Sequence, residues 1–196
     1  VSARPGPLPA DDARAAAASV GLPEGLADIN VFRVLLRHPP LADALNALLG
    51  PLLARPVLDP RLRELVIMRV AWRTGSAYEW AQHWRLGPMF GAAADDLAAV
   101  RDWEREPRFG PRERAVLAAT DETLDGAALS DATWDRLIEA LGDERAALEL
   151  LFVIGGYQML SGVLRTLAVP LDEGLVPWGP DGHGPGAATL PGGGGR

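Results

Sequence analysis

Residues 59–86 constrain the fold more than any other stretch of the chain. Asp59-Pro60 supplies a cap and a first-turn proline, and the spacing predicts a helix over 61–73. Leu62, Leu65, Val66, Ile67, Met68, Val70, Ala71 and Trp72 surround that helix with apolar side chains. A helix apolar on most sides belongs inside a core, not on a surface. Thr74-Gly75 turns the chain, Ser76 begins a second helix, and Gly87-Pro88 stops it near Leu86. Two helices joined by so short a break are expected to form an antiparallel hairpin.

The remaining segments supply neighbours for this hairpin. Residues 1–9 read as a flexible lead-in. Asp11 and Asp12 cap an Ala-rich helix that Gly21, Pro23 and Gly25 end. A second helix spans 31–38 and stops at Pro39. A third spans 41–55 and is expected to kink or split at Gly50-Pro51. Further helices are expected over 94–104, 111–124, 131–141 (capped by Ser130) and 143–167, where Gly155-Gly156 marks a close helix contact or a bend. Residues 175–178 read as a short docked tail, and 179–196, with Gly192 to Gly195, as a disordered Gly/Pro-rich segment. No strand pattern is present. The expected fold is all-α, a compact helical bundle built around a central antiparallel hairpin, with one domain over 10–178.

Composition excludes several functions. A formal charge of −7 argues against binding a nucleic-acid backbone. The apolar runs are interrupted by Arg or Glu, so no membrane span is expected, and the Pro-rich start lacks a secretory pattern. Cytoplasmic location is the default expectation. The chain has no cysteine, which removes thiol peroxidation, disulfide exchange and thiolate metal sites. All 19 basic side chains are Arg, so Schiff-base chemistry and a P-loop lysine are absent too.

One constellation can carry chemistry. On a helix over 76–86, Ser76, Glu79 and His83 share a face, with Tyr78 and Gln82 on the adjoining strip. A carboxylate one turn before an imidazole can fix its tautomer and raise its basicity. The hairpin would bring Glu64 near His83, and two carboxylates and an imidazole in an apolar cleft would have a pKa pushed upward. The same residues have structural readings. Ser76-x-x-Glu79 is also a capping box, His83 can be a hydrogen-bonded core histidine, and Glu64 can pair with Arg61 or Arg63 at the surface. The tryptophans read as core or subunit contacts.

The stretch Leu62-Arg63-Glu64-Leu65-Val66-Ile67-Met68-Arg69-Val70-Ala71, followed by Ser76-Ala77-Tyr78-Glu79-Trp80-Ala81-Gln82-His83, resembles the signature of the carboxymuconolactone decarboxylase and alkylhydroperoxidase D-like superfamily. Its peroxidase branch carries E-x11-C-x2-C-x3-H. Counted from Glu64, the cysteine positions fall on Ser76 and Glu79 and the histidine on His83. Similarity extends over roughly 29–171, from Phe32 through His38-Pro39 to Gly156-Tyr157-Gln158. The resemblance implies an all-α fold around a helical hairpin, homo-oligomers (trimers or hexamers) with pockets near subunit contacts, and Glu64 and His83 as site residues. It implies no peroxidase activity, because Ser76 and Glu79 cannot form a disulfide.

The leading expectation is a cofactor-independent lyase that decarboxylates a small carboxylated or lactone-like substrate. His83 is the general acid/base, Glu79 its orienting or charge-balancing partner, and Glu64 a second proton carrier or a supporting group. Arg69 and Arg73 are candidate anchors for a substrate carboxylate, and Tyr78 and Trp80 candidate pocket walls. Three other readings stay open. They are a dehydratase, isomerase or cyclase on the same residues, a non-catalytic binding or assembly protein, and a metal site at Glu79-x-x-x-His83 with Glu64. A cavity touching Glu64, Glu79 and His83 would favour an enzyme; a capping Glu79 beside a His83 without a cavity would not.

Overall fold

In the computed structural model, which describes residues 3–126 and 128–186, the described residues form nine α-helices and no strand. These are α1 (Ala10–Ser19), α2 (Asn30–Leu35), α3 (Pro39–Ala54), α4 (Pro60–Thr74), α5 (Ala77–Leu86), α6 (Ala94–Ala99), α7 (Pro111–Gly126), α8 (Asp131–Leu141) and α9 (Glu144–Leu167). The fold is all-α, as its sequence pattern requires.

Helix α4 is the axis. Asp59 caps it by accepting from the amides of Arg61 and Leu62, Pro60 occupies its first turn, and Gly75 closes it at φ 71°. Leu65, Val66, Ile67 and Met68 are fully buried, because α5, α7 and α9 pack around this one helix. Helix α5 doubles back from Ser76 to complete the hairpin. Helix α9 is long and apolar enough to cross a membrane by length and composition. Here Leu150, Val153, Ile154, Tyr157 and Leu164 enter the core, while Leu148, Phe152 and Met159 lie exposed on another face. A Cβ on Gly156 would stand 2.7 Å from Leu49 Cδ2, so this glycine lets α3 approach α9 closely.

Several local expectations differ from what forms. Pro39 opens α3 at its first turn, and α2 ends earlier, at Leu35. Pro51 leaves α3 continuous, because it sits in the last turn, where few intrahelical bonds remain to lose. The expected helix over 94–104 breaks after Ala99 into a 3₁₀ segment with Asp102 at φ −132°. The cause is Arg69, which takes the carbonyls of Val100 and Arg101 at 2.8 and 2.9 Å. The lead-in is tethered: Arg33 and Arg37 donate to the carbonyls of Leu8 and Gly6. The disordered segment expected from 179 onward starts too early. Gly179 is buried and accepts from Trp80 Nε1 at 3.0 Å and Arg101 at 2.8 Å, and Asp181 pairs with Arg101. Residues 187–196 of that segment lie outside the described residues.

Candidate active site

The hairpin brings Glu64 of α4 to His83 of α5. Glu64 Oε2 lies 2.7 Å from His83 Nδ1, and both side chains are buried. The other oxygen of Glu64 accepts from Arg63 Nη2 at 2.8 Å and Nε at 3.0 Å. Arg63 is itself fully buried. It also donates to the carbonyls of Leu52 and Leu53 in the last turn of α3, and its guanidinium sits 4.5 Å over the Phe90 ring. Burial opposes ionisation of Glu64, but His83 and Arg63 outweigh it and hold the carboxyl below its usual range. Ionised Glu64 accepts the Nδ1 proton of His83, which leaves Nε2 as the basic nitrogen. Nε2 has no partner among the described residues.

Glu79 sits apart from this pair and does not cap its helix. Ser76 makes no side-chain cap, and Glu79 Oε2 is hydrogen-bonded to Ser161 Oγ of α9. Thr74 Oγ1 is 2.9 Å from Ser161 Oγ and 2.7 Å from the Val70 carbonyl. Each hydroxyl carries one proton. With Glu79 ionised, Ser161 must donate to it, and the single Thr74 proton must serve both Ser161 and Val70. With Glu79 protonated, the bonds run Glu79 to Ser161 to Thr74 to the Val70 carbonyl, one proton each. Burial pushes the Glu79 carboxyl up to about 8, with Ser161 and then Ser76 opposing in part, so the acid is mostly protonated at pH 7. Its Oε1 is buried with no hydrogen-bond partner. It is thus Glu64, the expected proton carrier or supporting group, that bonds the His83 ring, while Glu79, expected to orient that ring, bonds Ser161 instead.

Glu79 and His83 line a cavity of about 260 Å³ between α3, α5 and α9. Its other walls are mainly aliphatic, from Leu45, Leu49 and Leu53 of α3 to Leu160 and Leu164 of α9. Tyr157 stands edge-on to the His83 ring at 5.2 Å, and burial followed by the Glu64 and Glu79 carboxylates raises its pKa. Glu64 lies behind His83 and does not line the cavity. At the rim, Asp172 accepts from Tyr78 Oη at 2.7 Å, from the Asn30 amide at 2.7 Å and from Gln82. Tyr78 Oη in turn accepts from the Val31 amide at 3.0 Å. The segment after α9 is thereby tied to the start of α2.

Tyr78 is thus a wall of the cavity, but three other expected contacts are not. Arg69 is held bidentately by Asp121 at 2.7 Å, and Arg73 pairs with Asp121 and Asp125. Both face α7 from the far side of α4. Trp80 is fully buried among Trp72, Trp84 and Trp178. Nor does Glu64 form a surface pair; its partner Arg63 is in the core, and Arg61 binds Asp96 and Glu113. As metal ligands the three candidates do not converge: Glu64 and His83 Nδ1 are spent on each other, and among the described residues no group of three such donors is poised to hold a metal ion. Sequence reasoning named Arg63 only as a surface partner of Glu64, and it missed Tyr157, Ser161 and Asp172 as parts of this site. Tyr157 alone left a signal, beside the paired glycines of α9.

Residues 39–122 match the carboxymuconolactone decarboxylase family. No curated protein matches the sequence. Among solved structures, a cysteine-to-alanine variant of the debrominase Bmp8 in complex with 2,3,4-tribromopyrrole is 19% identical, with a TM-score of 0.69 over 88% of this chain and 94% of that one. A peroxidase-related protein with the alkylhydroperoxidase AhpD core from Ralstonia eutropha JMP134 is 18% identical, with a TM-score of 0.67 over 85% and 87%. Another peroxidase-related protein, from Silicibacter sp. TM1040, is 16% identical, with a TM-score of 0.68 over 84% and 86%. At these identities the structures share the fold.

Proposed function

We propose, from the match of residues 39–122 to the carboxymuconolactone decarboxylase family and the AhpD-like fold, that this chain catalyses cofactor-independent proton transfer at a carbon beside a carbonyl group, as a lyase or isomerase. One observation carries the reading: His83, its Nδ1 held by Glu64, and a neutral Glu79 line the same apolar cavity. A base and a protonated acid facing one cavity are what such chemistry needs. With no thiol in the chain, the redox cycle of the peroxidase branch has no counterpart here.

His83 Nε2 takes the proton from carbon. The C–H electron pair becomes the C=C bond of an enol, and the carbonyl oxygen takes the Glu79 proton, carried on Oε1 for this step while Ser161 donates to Oε2. Glu64 neutralises the imidazolium that forms, while Arg63 keeps Glu64 ionised. Return of the His83 proton to a different carbon, with the oxygen proton going back to Glu79, completes an isomerisation. Decarboxylation needs a substrate carboxylate, for which no arginine lines the cavity, so the geometry favours isomerisation. Acid–base catalysis of this kind contributes roughly 10²–10⁴-fold in rate.

The test is a panel of ketones, keto acids and unsaturated lactones in D₂O, read by NMR for deuterium at carbon and by trapping for released CO₂. Turnover that the His83→Gln variant loses supports the reading. Turnover undiminished in that variant overturns it.

A further inference from the structure

We propose that the cavity between α3, α5 and α9 selects an uncharged, largely apolar carbonyl compound and rejects carboxylates. This deepens the proton-transfer reading and rests on it for the role of His83. The polar groups at the cavity and the charges it lacks both point this way.

No arginine lines the cavity, and the chain has no lysine. The nearest guanidinium, that of Arg63, is spent on Glu64 and on two α3 carbonyls. Arg69 and Arg73 are committed to acidic residues of α7. His83 is the one lining side chain able to carry positive charge, and Glu64 at 2.7 Å offsets it. A substrate carboxylate would therefore enter an apolar chamber with no cation built to receive it, which is costly. An aliphatic ring system loses nothing there and gains contact with Leu45, Leu49, Leu53, Leu160 and Leu164.

The unpartnered polar atoms suit a neutral ligand with one oxygen function. His83 Nε2 and Tyr157 Oη have no partner among the described residues, and Glu79 Oε1 is buried and unpaired. The hydroxyl chain from Ser161 through Thr74 to Val70 accounts for its protons only with Glu79 uncharged. So the wall offers one donor, Tyr157 Oη, and two acceptors, His83 Nε2 and Glu79 Oε1, without net charge. A ketone oxygen or an enol hydroxyl matches them, and the hydrocarbon remainder meets leucine. About 260 Å³ admits a mono- or bicyclic molecule.

The experiment compares 2-acetylnaphthalene with 2-naphthoate, which share a ring system and differ in charge, by isothermal titration calorimetry on the full chain at pH 7. The ketone is expected to bind and the carboxylate to bind at least roughly tenfold more weakly. Leu45→Arg, which places a cation in a half-buried wall position, is expected to narrow or reverse that preference. Naphthoate binding as tight as the ketone, a ketone that does not bind, or a preference unmoved by Leu45→Arg overturns the proposal. Deuterium exchange at the acetyl methyl group separates the two ideas. Ketone selectivity with exchange that His83→Gln leaves unchanged would defeat the proton-transfer reading alone.

Discussion

Replacing Glu79 with Gln probes the least usual group in the molecule. An amide has the shape of a protonated carboxyl, its N–H₂ can donate to Ser161 as the acid does, and it does not titrate. In the native chain the Glu79 carboxyl moves from 4.5 to about 8. The folded state thus keeps a proton that the unfolded state releases across this interval. Stability from this group is complete below pH 4.5 and is lost as pH rises through 8, because the native state binds more protons throughout the window. At about 1.36 kcal/mol per unit, the shift of about 3.5 units corresponds to about 5 kcal/mol over the window. This is a ceiling, since local opening that wets the carboxylate limits the loss. No charged neighbour is among the causes of the shift, so the other ionisable groups largely cancel in a comparison of the two proteins. Urea unfolding followed by tryptophan fluorescence from pH 5 to 9 provides the measurement. The stability of Glu79→Gln relative to the parent should climb by up to about 1.4 kcal/mol per pH unit toward pH 8 and then level off. Two parallel curves across that range would refute both the neutral carboxyl and the proton count of the hydroxyl chain.

Other substitutions separate the roles of the site. In His83→Gln, kcat/KM on a turned-over ketone or lactone should fall roughly 10²–10⁴-fold with the helical circular dichroism retained. Glu64→Gln should lower kcat on the order of a hundredfold and, by leaving Arg63 buried without its counter-ion, cost about 3–5 kcal/mol in denaturant unfolding; a fully active, fully stable variant would contradict the pairing. Gly156→Ala puts a methyl 2.7 Å from Leu49 Cδ2 and should cost about 1–3 kcal/mol while weakening ketone binding, because Leu49 is a cavity wall. Arg69→Ala should lower the melting temperature through the loss of its buried pair with Asp121 and leave KM unchanged; a raised KM would restore Arg69 as a substrate anchor.

How much of this was legible in the sequence depends on how far each contact reaches along the chain. The buried axis was readable because all of its signals are local: a cap at Asp59, a proline at Pro60, an apolar surround and a Gly75 stop. The meeting of Glu64 with His83 was readable because the turn at Gly75 brings them together through two regular helices. Helical spacing placed Glu79 beside His83 as well, yet it is Glu64 that bonds the ring. What decides it is Ser161, which lies 82 residues away on α9 and takes up one oxygen of Glu79. Nothing local encodes that choice. Arg63 shows the same limit from the other side. An arginine in a helix reads as a solvated face, and only the packing of α3 reveals why this one is buried. The last turn of α3 leaves the carbonyls of Leu52 and Leu53 without helical donors, and the guanidinium supplies them while neutralising Glu64. One side chain thus completes a helix end, fixes the charge of Glu64 and thereby sets the tautomer of His83. The tautomer of His83 therefore depends on the end of a helix that contributes no ionisable group to the site.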